Sequence, residues 1–397
     1  MNYRRSLDEI VETLRNAKKR NKGCTLLIGA GCSVKAGIPT AAGFVEVIKD
    51  RYPWAYGRTE AKTYPKCMAE LTLGEARDLI SEYVDNAKIN WAHVCIALLM
   101  QASYVDRVLT TNFDLLVVRG CALLGEFPAI YDFAASQLYK AADIPGKAVF
   151  YLHGQRTGFV LINTEEDFSR HSQLLGPVFE DAGRGRVWIV VGYSGENDPV
   201  FDHLAKVPRF DNGLFWVGYQ DNEPARHVRE RLLLPEKDAF YTNGYDADSF
   251  FVTLAQKLKI FPPRFIAQPF THLKTTMEML APYSLPGQTS EEDVTRTPRE
   301  WIVSAIENFE KAAPAAGTAA GITSPEGAEL PAPPEAAALK LLIAGDYEGV
   351  LQFREDYEKT PSSELAYSLS WAYVMQGNAF NEEARTKTGE EADQLFA

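Results

Sequence analysis

The sequence predicts an α/β fold, a mostly parallel β-sheet with helices on both faces, followed by a small all-α segment. Short apolar runs that stop in glycine or polar clusters alternate with helical patterns, as expected for strands buried on both faces of a parallel sheet. The chain has 397 residues, of which 46% are hydrophobic, enough for two domains and a sizeable core. Near residue 285 the composition changes, which sets the predicted end of the sheet domain.

The predicted elements follow in order along the chain. Residues 5–20 place apolar side chains at helical spacing and predict an amphipathic first helix. A strand follows in CTLLIGAG, residues 24–31, because an apolar run there ends abruptly in glycines. Four more strands are predicted at residues 107–114, 147–154, 186–193 and 212–219, with helices between them that include residues 91–105 and 113–124. Four of the strands end in polar or glycine-bearing clusters. Because the carboxyl ends of parallel strands meet at one edge of a sheet, we expect one shared site there.

Three regions are predicted along the chain. Residues 1–285 hold the sheet domain, and residues 286–336 hold one helix near 297–311 and a linker rich in Ala, Pro and Gly. Residues 337–397 are acidic and carry helical patterns. The linker composition favours a semi-rigid spacer, because it offers little apolar surface to bury.

The C-terminal region carries a weak internal repeat. Gly345 and Gly377 stand close to one tetratricopeptide period of ~34 residues apart. Ala366, Leu369 and Tyr373 stand at the spacings that this repeat uses in its first helix. A simple helical hairpin explains the pattern equally well. Because the last residues fall within a helical pattern, we expect the array to continue in a longer protein.

Composition excludes several classes of function. Lys and Arg number 41 against 53 Asp and Glu, and the net charge of −12 argues against direct nucleic-acid binding. Five cysteines without a C-x-x-C pair indicate reduced thiols and no zinc site. No apolar run reaches the ~20 residues of a membrane span, and the N-terminus lacks the pattern of a signal peptide. We therefore expect a cytoplasmic protein with no membrane contact.

The strongest local motif is GAGCSVKAGIPT, from Gly29 to Thr40, directly after the first strand. Glycines permit positive φ and let backbone N–H groups approach a phosphate closely. The Walker A spacing is absent from the chain. By this pattern alone, a tight turn without a ligand remains the alternative to a phosphate-binding loop.

Two more motifs, TTNFD (110–114) and YLHG (151–154), follow predicted strands. Asn112 and Asp114 could bind a substrate or could cap the next helix, because Asn and Asp are favoured at N-caps. His153 could act as a base or could be an ordinary histidine in a turn.

The fourth motif is VGYSGEND, residues 191–198. Ser194 does not fit the nucleophile elbow G-x-S-x-G, because position 196 is Glu. Asp198 before Pro199 fits an ordinary helix start as well as a ligand contact.

Together, in this order, the four motifs resemble those of the sirtuin (SIR2) family, from the first strand to about Phe250. The resemblance implies a Rossmann-like sheet that binds NAD+, with His153 as the base near the nicotinamide ribose and with Asn112 and Asp114 holding that ribose and the carboxamide. It also implies a set of dinucleotide-binding residues in the first and last motifs: Gly29, Ala30, Gly31, Ser33, Gly37, Pro39, Thr40, Gly192, Ser194 and Asp198.

The sequence also departs from deacylating sirtuins. It has no cysteine after Cys121, so the zinc ribbon of that family is missing, and residues 155–185 are too short for its acyl-lysine cleft. Thr40 and two alanines replace the usual Asp-Phe-Arg after Gly-Ile-Pro. These departures resemble the divergent zinc-less SIR2 branch of bacterial anti-phage systems, whose members hydrolyse NAD+.

The resemblance implies an NAD+ glycohydrolase that releases nicotinamide and ADP-ribose. It further implies a regulated effector of abortive infection, assembled as a homo-oligomer, with a protein trigger or partner bound by the C-terminal repeats. Two alternatives are an NAD-dependent protein deacylase or ADP-ribosyltransferase, and a non-catalytic sensor that binds NAD or ADP-ribose.

Overall fold

A computed structural model describes most of the chain up to residue 281 and shorter stretches beyond it. The described residues are 3–133, 144, 146–156, 175–196, 198–281, 303–304, 334, 337–338, 341, 347–359, 365–366, 368–370 and 372–373. The chain forms two compact units, Met1–Ala267 and Gln268–Ala397. The predicted boundary at 285, all but one residue of the linker 312–336, and both Gly345 and Gly377 lie outside the described residues.

A seven-stranded parallel sheet forms the centre of the first unit. Its strands are β1 (Cys24–Ile28), β2 (Arg107–Thr110), β3 (Ala129–Asp132), β4 (Ala148–Tyr151), β5 (Val187–Val191), β6 (Leu214–Tyr219) and β7 (Ala239–Tyr245). Their order across the sheet is β3-β4-β2-β1-β5-β6-β7. All five predicted strands are present. Four of them, β1, β2, β4 and β5, end before the glycine-bearing or polar cluster that the prediction included, whereas β6 ends at Tyr219 as predicted. The strands β3 and β7 were not predicted.

Helices cover both faces of the sheet. Those of the first unit are α1 (Leu7–Lys19), α2 (Ala41–Arg51), α3 (Pro53–Arg58), α4 (Tyr64–Ala69), α5 (Leu73–Asp85), α6 (Trp91–Gln101), α7 (Leu116–Leu123), α8 (Gly176–Gly183), α9 (Pro199–Lys206), α10 (Arg226–Arg231), α11 (Ala247–Lys257) and α12 (Arg264–Ala267). On one face, α1, α6, α7 and α11 pack against the strands, and on the other face α8, α9 and α10 do so. Within β1, Leu26 and Ile28 belong to the first core and Leu27 to the second. The predicted fold class is confirmed.

Three of the predicted helices correspond to α1, α6 and α7. The helix predicted at 113–124 begins only at Leu116, because Asn112 to Leu115 form the polar turn that leaves β2. The helix predicted at 91–105 ends at Gln101, and Ser103 then adopts a positive φ of 55°.

Between β1 and β2 the chain inserts α2 to α5, which pack around a core of their own. This core includes Ile48 and Ile80, both buried, and it continues to Ala36 and Ile38 in the loop after β1. The insertion therefore begins directly at the glycine-rich motif.

The second unit contains α13 (Pro269–Glu278), α14 (Tyr347–Leu351) and α15 (Arg354–Lys359). A small apolar cluster is buried there and consists of Ala338, Val350, Leu365, Leu369 and Ala372. Its described residues are helical. The choice between a tetratricopeptide-like repeat and a simple helical hairpin stays a prediction. None of the described helices is long and apolar enough to cross a membrane.

Candidate functional site

Four motif-bearing loops leave neighbouring strands at one edge of the sheet. The strands β4, β2, β1 and β5 are adjacent, and they end at the loops that begin with Leu152, Thr111, Gly29 and Gly192. After β4 the chain crosses to the far side of β1 to form β5, so the strand order reverses between β1 and β5. Open α/β sheets bind ligands in the crevice at such a switch point.

The glycine-rich loop after β1 lies against the loop after β5. Gly29 N donates to Val191 O at 3.1 Å, and Gly31 N donates to Gly192 O at 2.8 Å. A Cβ atom at Gly31 would lie 2.7 Å from Gly192 Cα, and one at Gly192, where φ is +65°, would lie 2.6 Å from Cys32 N. Glycine is needed here because the two backbones touch.

The backbone N–H of Ala30 in this loop is available to a ligand. Residues 30–32 and 34–36 form two short 3₁₀ turns, and Ala30 lies at the start of the first. Within the described ranges, the N–H of Ala30 donates no hydrogen bond. An unpaired backbone N–H at a strand-to-turn junction is a donor that an anionic oxygen can accept.

Ser33 joins the glycine-rich loop to the loop after β2. Its side chain is fully buried, and its hydroxyl donates to Asp114 Oδ2 at 2.7 Å. The same hydroxyl accepts a hydrogen bond from Asn112 Nδ2 at 3.1 Å, and Nδ2 also donates to Gly29 O at 3.1 Å. The structure thus brings four of the predicted site residues into one hydrogen-bonded group, which we call the Ser33 network: Gly29, Ser33, Asn112 and Asp114.

Asp114 also serves the helix that follows it. Its second oxygen, Oδ1, accepts from Leu116 N at 3.0 Å at the start of α7. The N-cap of α7 is Leu115, so Asp114 does not take the predicted capping position; it closes the turn before the helix with one carboxylate oxygen and accepts from Ser33 with the other.

His153 and Asp198 lie together, although the strands that lead to them are not neighbours. His153 Nε2 is 3.3 Å from Asp198 Oδ1. Asp198 is the N-cap of α9 and accepts from Val200 N at 2.9 Å, with Pro199 at the first helical position as predicted. Burial works to raise the pKa of the Asp198 carboxyl, but the charge of His153 and hydrogen bonds from its neighbours outweigh burial and hold that pKa below its usual value.

The remaining four predicted dinucleotide-binding residues, Gly37, Pro39, Thr40 and Ser194, have no hydrogen bond to the Ser33 network among the described residues. Gly37 ends the second 3₁₀ turn at φ +95°, and Pro39 leads into α2, whose N-cap is Thr40. Ser194 is exposed, and its carbonyl oxygen lies 2.9 Å from His227 Nε2. Their assignment to the dinucleotide stays a prediction.

The glycine-rich loop is supported by three residues that the sequence did not identify, Asn90, His93 and Asp248. Asn90 Nδ2 donates to Cys32 O at 2.8 Å and to Asp248 Oδ1 at 3.1 Å. His93 Nδ1 contacts Asn90 Oδ1, and no group in the described chain pairs with His93 Nε2. Burial lowers the pKa of His93, while the charges of Asp114 and Asp248 oppose that shift. The signal in the sequence was Asn90 before an apolar helix, which predicts a cap and nothing more.

The cysteines offer no nucleophile at this site. All five are buried and none forms a disulfide. Burial, reinforced by the charges of Asp248 and Asp114, raises the pKa of the Cys32 thiol, so that it stays protonated in the loop. Among the described residues, no three His, Cys, Asp or Glu side chains are grouped as metal ligands.

No protein-family model and no curated protein matches the chain. Similar solved structures include a complex of a Sir2 homolog with NAD, with a TM-score of 0.42 and 17% identity over 65% of this chain and 96% of that one. A structure of Sir2 with a p53 peptide and NAD+ has a TM-score of 0.38 and 18% identity, covering 64% and 99% of the two chains. A sirtuin structure that addresses the structural basis for substrate affinity has a TM-score of 0.37 and 18% identity, covering 64% of this chain and 99% of that one.

Proposed function

We propose that this chain is an NAD+ glycohydrolase that cleaves NAD+ to nicotinamide and ADP-ribose. The observation that carries the proposal is the Ser33 network, which ties Asn112 and Asp114 to the glycine-rich loop at the switch point of the sheet. His153, from the loop after β4, supplies the base. We choose NAD+ as the dinucleotide because the four motifs resemble those of the sirtuin family.

The glycine-rich loop is the place for the pyrophosphate. Open α/β sheets hold nucleotide phosphates at such loops, where backbone N–H groups point at the anion. The free N–H of Ala30 is one such donor. Ser33, in contrast, uses its hydroxyl within the protein, so we assign it to holding Asn112 and Asp114 in place and not to a phosphate contact.

The reaction needs stabilisation of a cation more than protonation of a leaving group. The bond between C1′ and the pyridinium nitrogen already has a neutral molecule, nicotinamide, as its leaving group. The ribose develops oxocarbenium character as this bond breaks, as in glycoside cleavage. The Asp114 carboxylate, 4% exposed, offers negative charge in a setting that water screens poorly.

Asn112 has a defined orientation in this scheme. Its amide nitrogen donates to Gly29 O and Ser33 Oγ, so both N–H bonds are used within the protein. The carbonyl oxygen Oδ1 is therefore the group with which Asn112 accepts from a ribose hydroxyl or from the attacking water. His153 takes the proton that the water or ribose hydroxyl releases.

Water is the acceptor in this proposal because the chain lacks the module that deacylases use to present acyl-lysine. No cysteine follows Cys121, so the chain has no cysteine ligands for a zinc ribbon. An acidic C-terminal region follows the sheet domain. A cytoplasmic NAD+ hydrolase must be restrained, because it would otherwise deplete its own cell. We therefore assign the chain to a regulated effector of anti-phage defence, controlled by homo-oligomerisation or by a protein bound to the C-terminal helices.

The test is NAD+ turnover by the purified protein, with nicotinamide and ADP-ribose separated by chromatography. Asn112→Ala and His153→Ala should each lower kcat by ~10²–10⁴, the usual loss for a positioned acid–base or water-orienting group. Asn86→Ala and His272→Ala, which remove the same kinds of side chain outside the four motifs, serve as controls. Turnover only with an added acylated peptide would instead indicate a deacylase, and tight NAD+ binding without turnover would indicate a sensor.

A further inference from the structure

His153 and Asp198 form a buried pair that the motif spacing did not predict. Their side chains are only 9% and 12% exposed, and His153 Nε2 lies 3.3 Å from Asp198 Oδ1. Two other strands, β2 and β1, separate the strands that carry them. The resemblance implied that Asp198 binds the dinucleotide, whereas here its carboxylate lies beside the imidazole of the proposed base.

Asp198 is held rigidly on its own side. It is the N-cap of α9, and Oδ1, the oxygen nearest His153, also accepts from Val200 N at 2.9 Å. Tyr193, from the same loop, is packed against the carboxylate, and its pKa is raised by burial and by the charge of Asp198. The carboxylate thus has a fixed place before any ligand binds.

A fixed carboxylate beside a buried imidazole has two effects. It restricts the orientation of the ring, because Asp198 Oδ1 lies 3.3 Å from His153 Nε2, although the two atoms do not meet hydrogen-bond geometry. It also stabilises the positive charge that the ring gains when it takes up a second proton, because water screens the pair only weakly.

We propose that Asp198 is a positioning residue for His153, which orients the imidazole ring and stabilises the imidazolium that forms during cleavage. The inference rests on the proposed function. In the step that it assists, an O–H bond of water breaks and the proton passes to the imidazole of His153. The hydroxide oxygen bonds to C1′ as nicotinamide leaves with the electron pair of the C1′–N bond.

The competing explanation is that Asp198 only caps α9. Asp198→Asn separates the two roles, because Asn is as good an N-cap as Asp and removes only the charge. Asp198→Ser also keeps a capping side chain but shortens it away from the ring. Both variants should unfold at the wild-type temperature, which shows that a kinetic loss does not come from the helix start.

The kinetic test separates kcat from KM for NAD+. Asp198→Asn and Asp198→Ser should lower kcat by ~10-fold or more, but less than His153→Gln does, with little change in KM for NAD+. The double variant His153→Gln, Asp198→Asn should lose no more activity than His153→Gln alone.

Other polar groups near the pair must be separated from it in the kinetic test. Tyr193 faces Asp198 within the loop, and Asp202 on α9 is paired with Arg231 on α10. His227 on α10 contacts Ser194 O in the same loop, so His227→Gln is measured in parallel. The loss of kcat in Asp198→Asn should persist in that background.

A readout independent of turnover is the ¹⁵N NMR spectrum of the histidine ring. The signal of His153 is identified by its loss in His153→Gln. Its ring-nitrogen chemical shifts should differ between wild type and Asp198→Asn, because the carboxylate lies beside the ring. This result would stand even if the wild type cleaved no NAD+, and would then leave the pair intact while removing the proposed reaction. Equal ring-nitrogen shifts in the two proteins would overturn the proposal, as would a higher KM with unchanged kcat.

Discussion

The hydroxyl of Ser33 donates to Asp114 Oδ2 at 2.7 Å while it accepts from Asn112 Nδ2. A residue predicted to bind the dinucleotide thus lies at the centre of a protein network. Its hydroxyl links the loop after β1 to the loop after β2, which are separated in sequence by α2 to α6 and β2. The geometry of the proposed catalytic side chains therefore depends on the glycine-rich loop.

Replacing Ser33 by Ala should remove a hydrogen bond that holds each of Asn112 and Asp114 in place. The variant leaves a buried carboxylate oxygen and one amide N–H without their protein partner, and we expect the free energy of unfolding to fall by ~1–3 kcal/mol. NAD+ turnover should fall with it, because Asn112 loses one of its two anchors. Denaturant unfolding and kcat measure these effects. Ser81→Ala, which removes a hydroxyl bonded within α5, is the control, and equal behaviour of the two variants would contradict the prediction.

Gly192 should tolerate no side chain. Its φ is +65°, and an added Cβ would lie 2.6 Å from Cys32 N, so Gly192→Ala combines backbone strain with a collision between two backbones. Gly125→Ala is a matched control, because φ there is +72° but nothing lies within 4 Å of the added Cβ. The left-handed conformation alone costs ~1–2 kcal/mol. Gly192→Ala should lower the free energy of unfolding by clearly more than Gly125→Ala, and a similar loss would show that the loops separate easily.

The sequence was sufficient for the parts of the fold that depend on local pattern. Continuous apolar runs located five strands, and parallel connection placed their loops at one edge, where Ser33, Asn112 and Asp114 meet. The strand β3 was missed because AIYD is short and only partly buried, and β7 because its AFYTNGY mixes polar residues with apolar ones. Neither shows the uniform burial that marks the central strands.

Contacts between distant residues could not be predicted in the same way. Asn90 and Asp248 are separated by 158 positions, and neither residue type indicates the other. The pairing of His153 with Asp198 likewise needs the crossover from β4 to β5, which brings two loops together over the ends of the strands between them. A motif supplies the type of residue at a site, whereas the partner of each residue follows from the order of strands.

Stability should fall in mild acid because of His93. Burial lowers its folded-state pKa, so below the unfolded value of ~6.5 the unfolded chain binds a proton that the folded chain does not. The free energy of unfolding should therefore decrease as pH falls from 7 towards 5.5, by up to ~1.4 kcal/mol per pH unit for this group. In His93→Gln the decrease should be smaller than in wild type. An unchanged slope in His93→Gln would show that the ring is protonated in the folded chain.

The last prediction concerns the second unit. Leu369 is 6% exposed in the apolar cluster with Val350 and Leu365, whereas Tyr373, one helical turn further on, is 50% exposed. Leu369→Asp places a carboxylate among apolar side chains, and burial without a partner costs several kcal/mol, so these helices should unfold and circular dichroism should lose helical signal. Tyr373→Ser should keep the cluster and serves as the control.

If the C-terminal helices restrain the proposed hydrolase, Leu369→Asp should also change the particle mass measured by light scattering and the NAD+ turnover per chain. The first unit has its own cores, so its thermal transition should persist and should exclude general unfolding as the cause. Unchanged mass and turnover, with the helical signal lost, would remove the regulatory role from these helices. A change in turnover shared by Tyr373→Ser would move that role from the buried cluster to the exposed surface of the same segment.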